Sequence, residues 1–173
     1  MKTLKPPILV LVGFVVLQAC GGTKMSVVKP STALARKIST IAIAPGSGVL
    51  GEAVGVELFN RGITIVDANE ATVILGRAGL KEYEFTTYNG VAALRAKGIG
   101  AVLAAKSVDA NDGTPESAVV RLTETEGGRL IAAVTWQNAW GGQRGSIVDR
   151  VMRANLSDAA NEIATELVKR LGL

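Results

Sequence analysis

Apolar positions change their spacing several times along the chain, and each change predicts an element. Ile8 to Leu17 (ILVLVGFVVL) is a solid apolar run without a charge. It is shorter than the roughly 20 residues a membrane-spanning helix needs. No period survives through residues 20–37. Ile38 to Ala44 (ISTIAIA) then alternates and is β-branched, which predicts a strand. Pro45-Gly46-Ser47-Gly48 is a turn. Leu50, Val54 and Leu58 recur at i, i+4 spacing and predict a helix over Leu50 to Arg61, stopped by Gly62. Ile63 to Val66 is a second strand, and the three segments make a β-α-β unit in about 30 residues.

Asp67-Ala68-Asn69-Glu70 has the spacing of a capping box and opens a helix from Ala68 to about Leu80. Lys81 to Tyr88 is a polar and aromatic connection, followed by a helix near Asn89 to Lys97. After Gly98-Ile99-Gly100, Ala101 to Val108 is a mostly apolar strand. Asp109 to Pro115 is a loop. Ser117 to Glu124 and Arg129 to Asn138 alternate on either side of Gly127-Gly128, a hairpin turn. Trp136 falls on the inward face of the second of these strands. Gly141 to Gly145 breaks the pattern. Ile147, Val151, Leu156, Ala159, Ile163, Leu167 and Leu171 then form one stripe, an amphipathic helix starting at Ser146 or as late as Ser157. The fold class is α/β (α+β): a β-α-β start, an antiparallel three-stranded meander and a C-terminal amphipathic helix, giving a mixed sheet with helices packed on it. One such domain is expected over residues 38–173.

The first apolar run acquires a meaning from its flanks. Lys2 and Lys5 precede it, and Leu17-Gln18-Ala19-Cys20 ends it, the three-part layout of an export signal. The last four residues resemble the lipobox of bacterial lipoproteins. That resemblance implies a signal peptide over residues 1–19, cleavage before Cys20, a diacylglyceryl group on its thiol, and acylation of the new amine, for instance by palmitate. Residues 20–37 become a lipidated N-terminus and tether, read as a solvated linker. Two or three acyl chains hold a protein on a bilayer far better than one, at about 0.8 kcal/mol per buried CH₂. Gly21 after the cysteine resembles sorting to the outer membrane, facing the periplasm.

Composition narrows the chemistry. The chain of 173 residues has no histidine and one cysteine. The commonest general base and metal ligand is therefore missing, and a cysteine given to lipid leaves neither disulfide nor thiol chemistry. The formal charge of +4 falls by two once Lys2 and Lys5 depart, and no long basic run exists, so a nucleic-acid partner is not expected. No Ser-x-x-Lys pair is present, and the scattered carboxylates show no metal spacing. Asp109-Ala110-Asn111-Asp112-Gly113 looks like half a calcium loop but lacks the closing glutamate, so it reads as a plain loop. No catalytic residue, cofactor or metal is expected, and the chain does not read as an enzyme.

One motif carries an alternative. Gly46-Ser47-Gly48-Val49-Leu50-Gly51 is G-x-G-x-x-G between a strand and a helix, and Asp67 closes the next strand. A pyrophosphate on the helix N-terminus with Asp67 on a ribose hydroxyl would be its chemistry. Pro45 lengthens a turn that is normally tight, and the later strands form a meander instead of further β-α-β units. A flexible turn plus a cap at Asp67 is the reading taken, with a small-ligand or nucleotide site at Gly46, Gly48, Gly51 and Asp67 as the alternative. Tyr83, Phe85, Tyr88 and Trp140 lie in connections, where exposed aromatics are candidate partner contacts and half-buried packing is the other option.

The order of elements, with the phrases LFNRGITIVD, GIGAVLAA and the hairpin TETEGGRLIA, resembles the α/β domain shared by curli-secretion lipoproteins, lipoprotein activators of penicillin-binding proteins and the amino-terminal domain of TolB. The resemblance covers roughly residues 37–171. It implies a non-enzymatic outer-membrane lipoprotein whose periplasmic domain binds or scaffolds cell-envelope proteins, with the membrane, envelope proteins or a second copy as partners.

Overall fold

The computed structural model describes residues 22–28, 37–139 and 146–172. Cys20 and Trp140 lie outside them. In chain order the elements are β1 (Lys24–Val28), β2 (Thr40–Ile43), α1 (Gly48–Phe59), β3 (Thr64–Val66), α2 (Ala68–Arg77), a 3-10 turn (Glu82–Glu84), α3 (Tyr88–Ala96), β4 (Ala101–Asp109), β5 (Pro115–Glu124), β6 (Leu130–Gln137), α4 (Ile147–Met152) and α5 (Leu156–Leu171). The six strands form one sheet in the order β1-β6-β5-β4-β2-β3. β2 runs parallel to β3 and β4, and the β4-β5-β6-β1 part is antiparallel. This is the mixed sheet the spacing predicts.

Side-chain alternation divides the core into two layers. Ile41, Leu103, Val120, Leu122, Val134 and Trp136 face α1 and α5, meeting Leu50, Val54, Leu58, Ile163 and Leu167. Ala42, Ala44 and Val102 face the other way, onto Ala71 and Leu75 of α2 and Leu94 of α3. α1 rides very close to the sheet at Gly55, and Gly51 leaves room for Ser47 of the preceding turn. A Cβ at Gly55 would stand 2.5 Å from Ile43 Cδ1, and one at Gly51 would stand 2.4 Å from Ser47 Cβ and 3.5 Å from Ala105 Cβ.

Two expectations change. Within residues 20–37, read as tether, β1 pairs antiparallel with β6, placing Met25 opposite Trp136 and Val27 opposite Val134. Five residues of which only Val27 packs against the core give no legible period; the backbone ladder to β6 makes the strand. The C-terminal amphipathic helix takes the late start, α5 beginning at Leu156, and the stripe N-terminal to it forms the separate short α4. Arg153 leaves helical geometry at ψ 129°, and Asn155 recaps the chain. The Asn155 side chain accepts the Asp158 N–H at 2.9 Å, and the Asp158 carboxylate accepts the Asn155 N–H at 3.1 Å. Ile147 and Val151, assigned by spacing to the buried stripe, point to solvent.

Candidate functional site

The path of the chain creates a crevice. From β2 it passes through α1 on one face to β3, then through α2 and α3 on the other face to β4, on the opposite side of β2. Ligands of open α/β sheets bind outside the carboxyl ends of the strands, where the order reverses in this way. A hollow of about 500 Å³ lies there, with Pro45, Gly46 and Ser47 from the β2–α1 turn, Tyr83 and Phe85 from the 3-10 segment, Lys106 from β4 and Arg121 from β5 on its walls.

The two cations come from adjacent strands. Lys106 stands opposite Val119 and Arg121 opposite Ala104, so they are diagonal neighbours on one face, with Cβ atoms about 7 Å apart. Among the described residues neither is ion-paired. Glu82 and Val119 complete the rim. A cleft with two unpaired cations, a tyrosine and an apolar floor suits an acidic or aromatic segment of a partner.

The glycine motif is explained by this turn. Gly46 (φ 76°) and Gly48 (φ 62°) take the left-handed region that glycine favours. Between them Ser47 is buried, and its Oγ accepts the Ala105 N–H at 3.3 Å, tying the turn to β4. Its side chain is thereby drawn away from capping α1. Gly46 lines the hollow, whereas Gly48, Gly51 and Asp67 are not among its lining residues. Asp67 caps α2, its carboxylate accepting the Glu70 N–H at 2.8 Å, as its capping spacing predicts. The structure therefore does not gather the three glycines and Asp67 into one cavity.

The aromatic candidates separate. Tyr83 is 75% exposed on the rim of the hollow, with Lys81 Nζ 6.0 Å from its ring centre. Phe85, two residues on, is 3% exposed and belongs to the core beneath α3, so it is packing first and floor second. Tyr88, 86% exposed at the start of α3, lines a second hollow of about 260 Å³ with the β5–β6 turn. Gly90 fixes this segment: a Cβ there would sit 2.1 Å from the Glu84 carbonyl oxygen and 2.8 Å from that of Phe85.

Lys106 and Arg121 were not singled out by sequence reading. Their signal is weak, since both are ordinary outward positions of alternating strands. Glu162 was also missed. Its Oε2 accepts the Thr23 hydroxyl at 2.7 Å and the Trp136 indole N–H at 2.7 Å, joining α5, the core and the entry to β1. In the Asp109–Pro115 loop, the Asp112 carboxylate accepts the Thr114 N–H at 3.0 Å, and that bond holds it below the usual aspartate range. Among the described residues no group of three acidic, cysteine or histidine side chains could hold a metal, and no helix is long and apolar enough to cross a membrane.

No protein-family model matches the chain, and no curated protein matches it. Among solved structures it is similar to the PelC dodecamer from Paraburkholderia phytofirmans, at 15% identity and TM-score 0.49, over 86% of this chain and 96% of that one. It is similar also to the lipoprotein GNA1162 from Neisseria meningitidis, at 15% identity and TM-score 0.46, over 75% of this chain and 99% of that one.

Proposed function

We propose that the chain is an outer-membrane lipoprotein, anchored through Cys20 and facing the periplasm, whose α/β domain binds or scaffolds other cell-envelope proteins and catalyses no reaction. One observation carries the binding role: exposed Tyr83 beside two unpaired cations, Lys106 and Arg121, at the mouth of one crevice. Among the described residues neither cation supports the fold through an ion pair, and tyrosine and arginine are enriched where binding energy concentrates. The lipobox at Leu17 to Cys20 supports the anchor.

A photo-crosslinking aromatic at position 83 of the full chain, expressed in a Gram-negative host, tests the binding role. An adduct with a discrete envelope protein is expected, and it should disappear when Lys106 and Arg121 are replaced by glutamate. No adduct at 83, together with an unchanged location of Cys20→Ser, would remove the proposal. The second reading is a small anionic ligand or nucleotide at Gly46, favoured by a hollow within the usual size of small-molecule sites. A thermal-shift screen with nucleotides decides it: ligand at 100 times its dissociation constant adds about 2.7 kcal/mol of stability, and an absent shift removes that reading.

A further inference from the structure

α4 is turned inside out. Ile147 is 82% exposed and Val151 79%, with Val148 exposed between them. Positions i, i+1 and i+4 lie on one face of a helix, so the apolar face of α4 looks outward. Asp149, on the opposite side, is 1% exposed, and its carboxylate takes the Arg153 guanidinium at 3.2 Å. A solvent-facing helix is expected to show the reverse arrangement. The inversion is held firmly: Ser146 Oγ accepts the Asp149 N–H at 3.1 Å, and Asn138 clamps Ala154 just past the helix through both its N–H and its carbonyl.

The start of the described chain indicates what covers this face. Gly22 and Thr23 share one hollow with Val151 and Met152. Cys20 precedes Gly22 by two residues, and two residues reach at most about 7 Å. A lipid on Cys20 therefore enters its bilayer beside α4. The geometry points to α4 as a second membrane contact, with Ile147, Val148 and Val151 seated in the interfacial layer of the leaflet that holds the Cys20 lipid. The anchor alone would leave the domain free to swivel. Two neighbouring contacts fix which side of the sheet faces the membrane. The inference rests on the lipid anchor put forward above.

The full chain, purified with its membrane lipid and reconstituted into phosphatidylethanolamine–phosphatidylglycerol vesicles, tests it. Mass spectrometry first reads the state of Cys20. An environment-sensitive fluorophore is then placed by Val151→Cys or, as a control on the other side of the sheet, by Tyr88→Cys. Fluorescence at 151 should be quenched about twofold or more when brominated lipid replaces ordinary lipid, as for an apolar face buried some 5–10 Å into the headgroup and acyl boundary. Fluorescence at 88 should not change. Ile147→Asp with Val148→Asp, both at exposed sites, should abolish the quenching at 151 while the protein stays in the membrane fraction. A lipidated Cys20 with no lipid quenching at 151 overturns the α4 contact and leaves the anchor standing. A spectral shift at 151 without lipid quenching assigns the face to a second copy or another protein and also overturns it. A bare Cys20 thiol overturns the anchor, and the α4 contact with it.

Discussion

Replacing Asn138 should damage the protein more than its size suggests, because one buried amide joins three chain segments. Its Nδ2 donates to the Pro115 carbonyl at 2.7 Å and to the Ala154 carbonyl at 2.9 Å, while its Oδ1 accepts the Ala154 N–H at 2.9 Å. Two carbonyl partners on one atom fix which end of the amide is nitrogen. Asn138→Ala removes all three bonds. Each neutral bond contributes about 1 kcal/mol net, and a buried partner left unpaired costs about 1–3 kcal/mol. Ala154 borders an open hollow and can regain water, but Pro115 is buried. The expected loss is therefore about 2–4 kcal/mol. Urea unfolding followed by the fluorescence of fully buried Trp136 measures it. Asn138→Asp is the sharper variant. It keeps an acceptor for the Ala154 N–H yet points a charged oxygen at two carbonyls, so it should be at least as damaging at neutral pH. Burial and those carbonyls raise the folded-state pKa of the introduced carboxyl above its unfolded value of about 3.9. Its proton is thus bound more tightly in the folded state, and the deficit should shrink as pH falls through the folded pKa. A loss below 1 kcal/mol for the alanine variant, or an aspartate variant as stable as the parent at pH 7, would show that the three bonds do not hold α4 and α5 to the sheet.

Three further outcomes follow from contacts of the same kind. Gly90→Ala drives a Cβ against two backbone carbonyls that cannot step aside and should cost about 1–3 kcal/mol; Gly76→Ala, with nothing within 4 Å of the new methyl on α2, should gain about 0.5–1 kcal/mol, and equal effects in denaturant titrations would refute the packing account. Glu162→Ala should lose about 2–3 kcal/mol, since charge-assisted bonds to Thr23 and Trp136 both vanish, whereas Glu162→Gln, which retains a carbonyl acceptor, should lose less than half of that; the same titration decides, and indistinguishable variants would sink the idea. Lys106→Glu and Arg121→Glu should leave the unfolding free energy within about 0.5 kcal/mol of the parent while reducing crosslinking from position 83, and a stability loss without a binding loss would mean the cations serve the fold.

Local periodicity made much of this architecture readable before the structure. The β2–α1–β3 unit, the Asp67 cap and the β4-β5-β6 meander all depend on contacts between near neighbours in sequence, and each leaves a period or a capping residue behind. β1 leaves none, because it is held by backbone pairing to a strand more than a hundred residues away. α4 misleads for a different reason. Ile147 and Val151 have the spacing of a buried stripe, and spacing cannot say which side of a helix meets the core. The opposing cue was present: Asp149 and Arg153 are also four apart, and an acid buried with its cation is an inward face as firmly as two valines are. Tyr83 and Phe85 show the same limit in a connection. In the fold Phe85 goes under α3 and Tyr83 goes out, with Gly90 packed against the turn between them and α3.

The uneven covering of the sheet bears on where a partner can dock. α1 and α5 cover one face, but on the other α2 and α3 cover only the β2, β3 and β4 side. Beyond them lie two rows of facing residues, Lys106–Val119–Thr135–Ser26 and Ala104–Arg121–Ala133–Val28. Each row holds one valine among polar and small side chains, so among the described residues these rows form no continuous apolar patch to attract arbitrary hydrophobic segments. Affinity cannot come from this open strip alone. In the binding role proposed above, affinity would be concentrated where the strip meets the crevice, at Lys106 and Arg121 against Tyr83, where a partner segment would gain charge complementarity and a wall to lie against. A ligand peptide held there would run along the open strands. Selection would then rest on the two cations, and reversing their charge should change which partner is captured before it changes how well the domain folds.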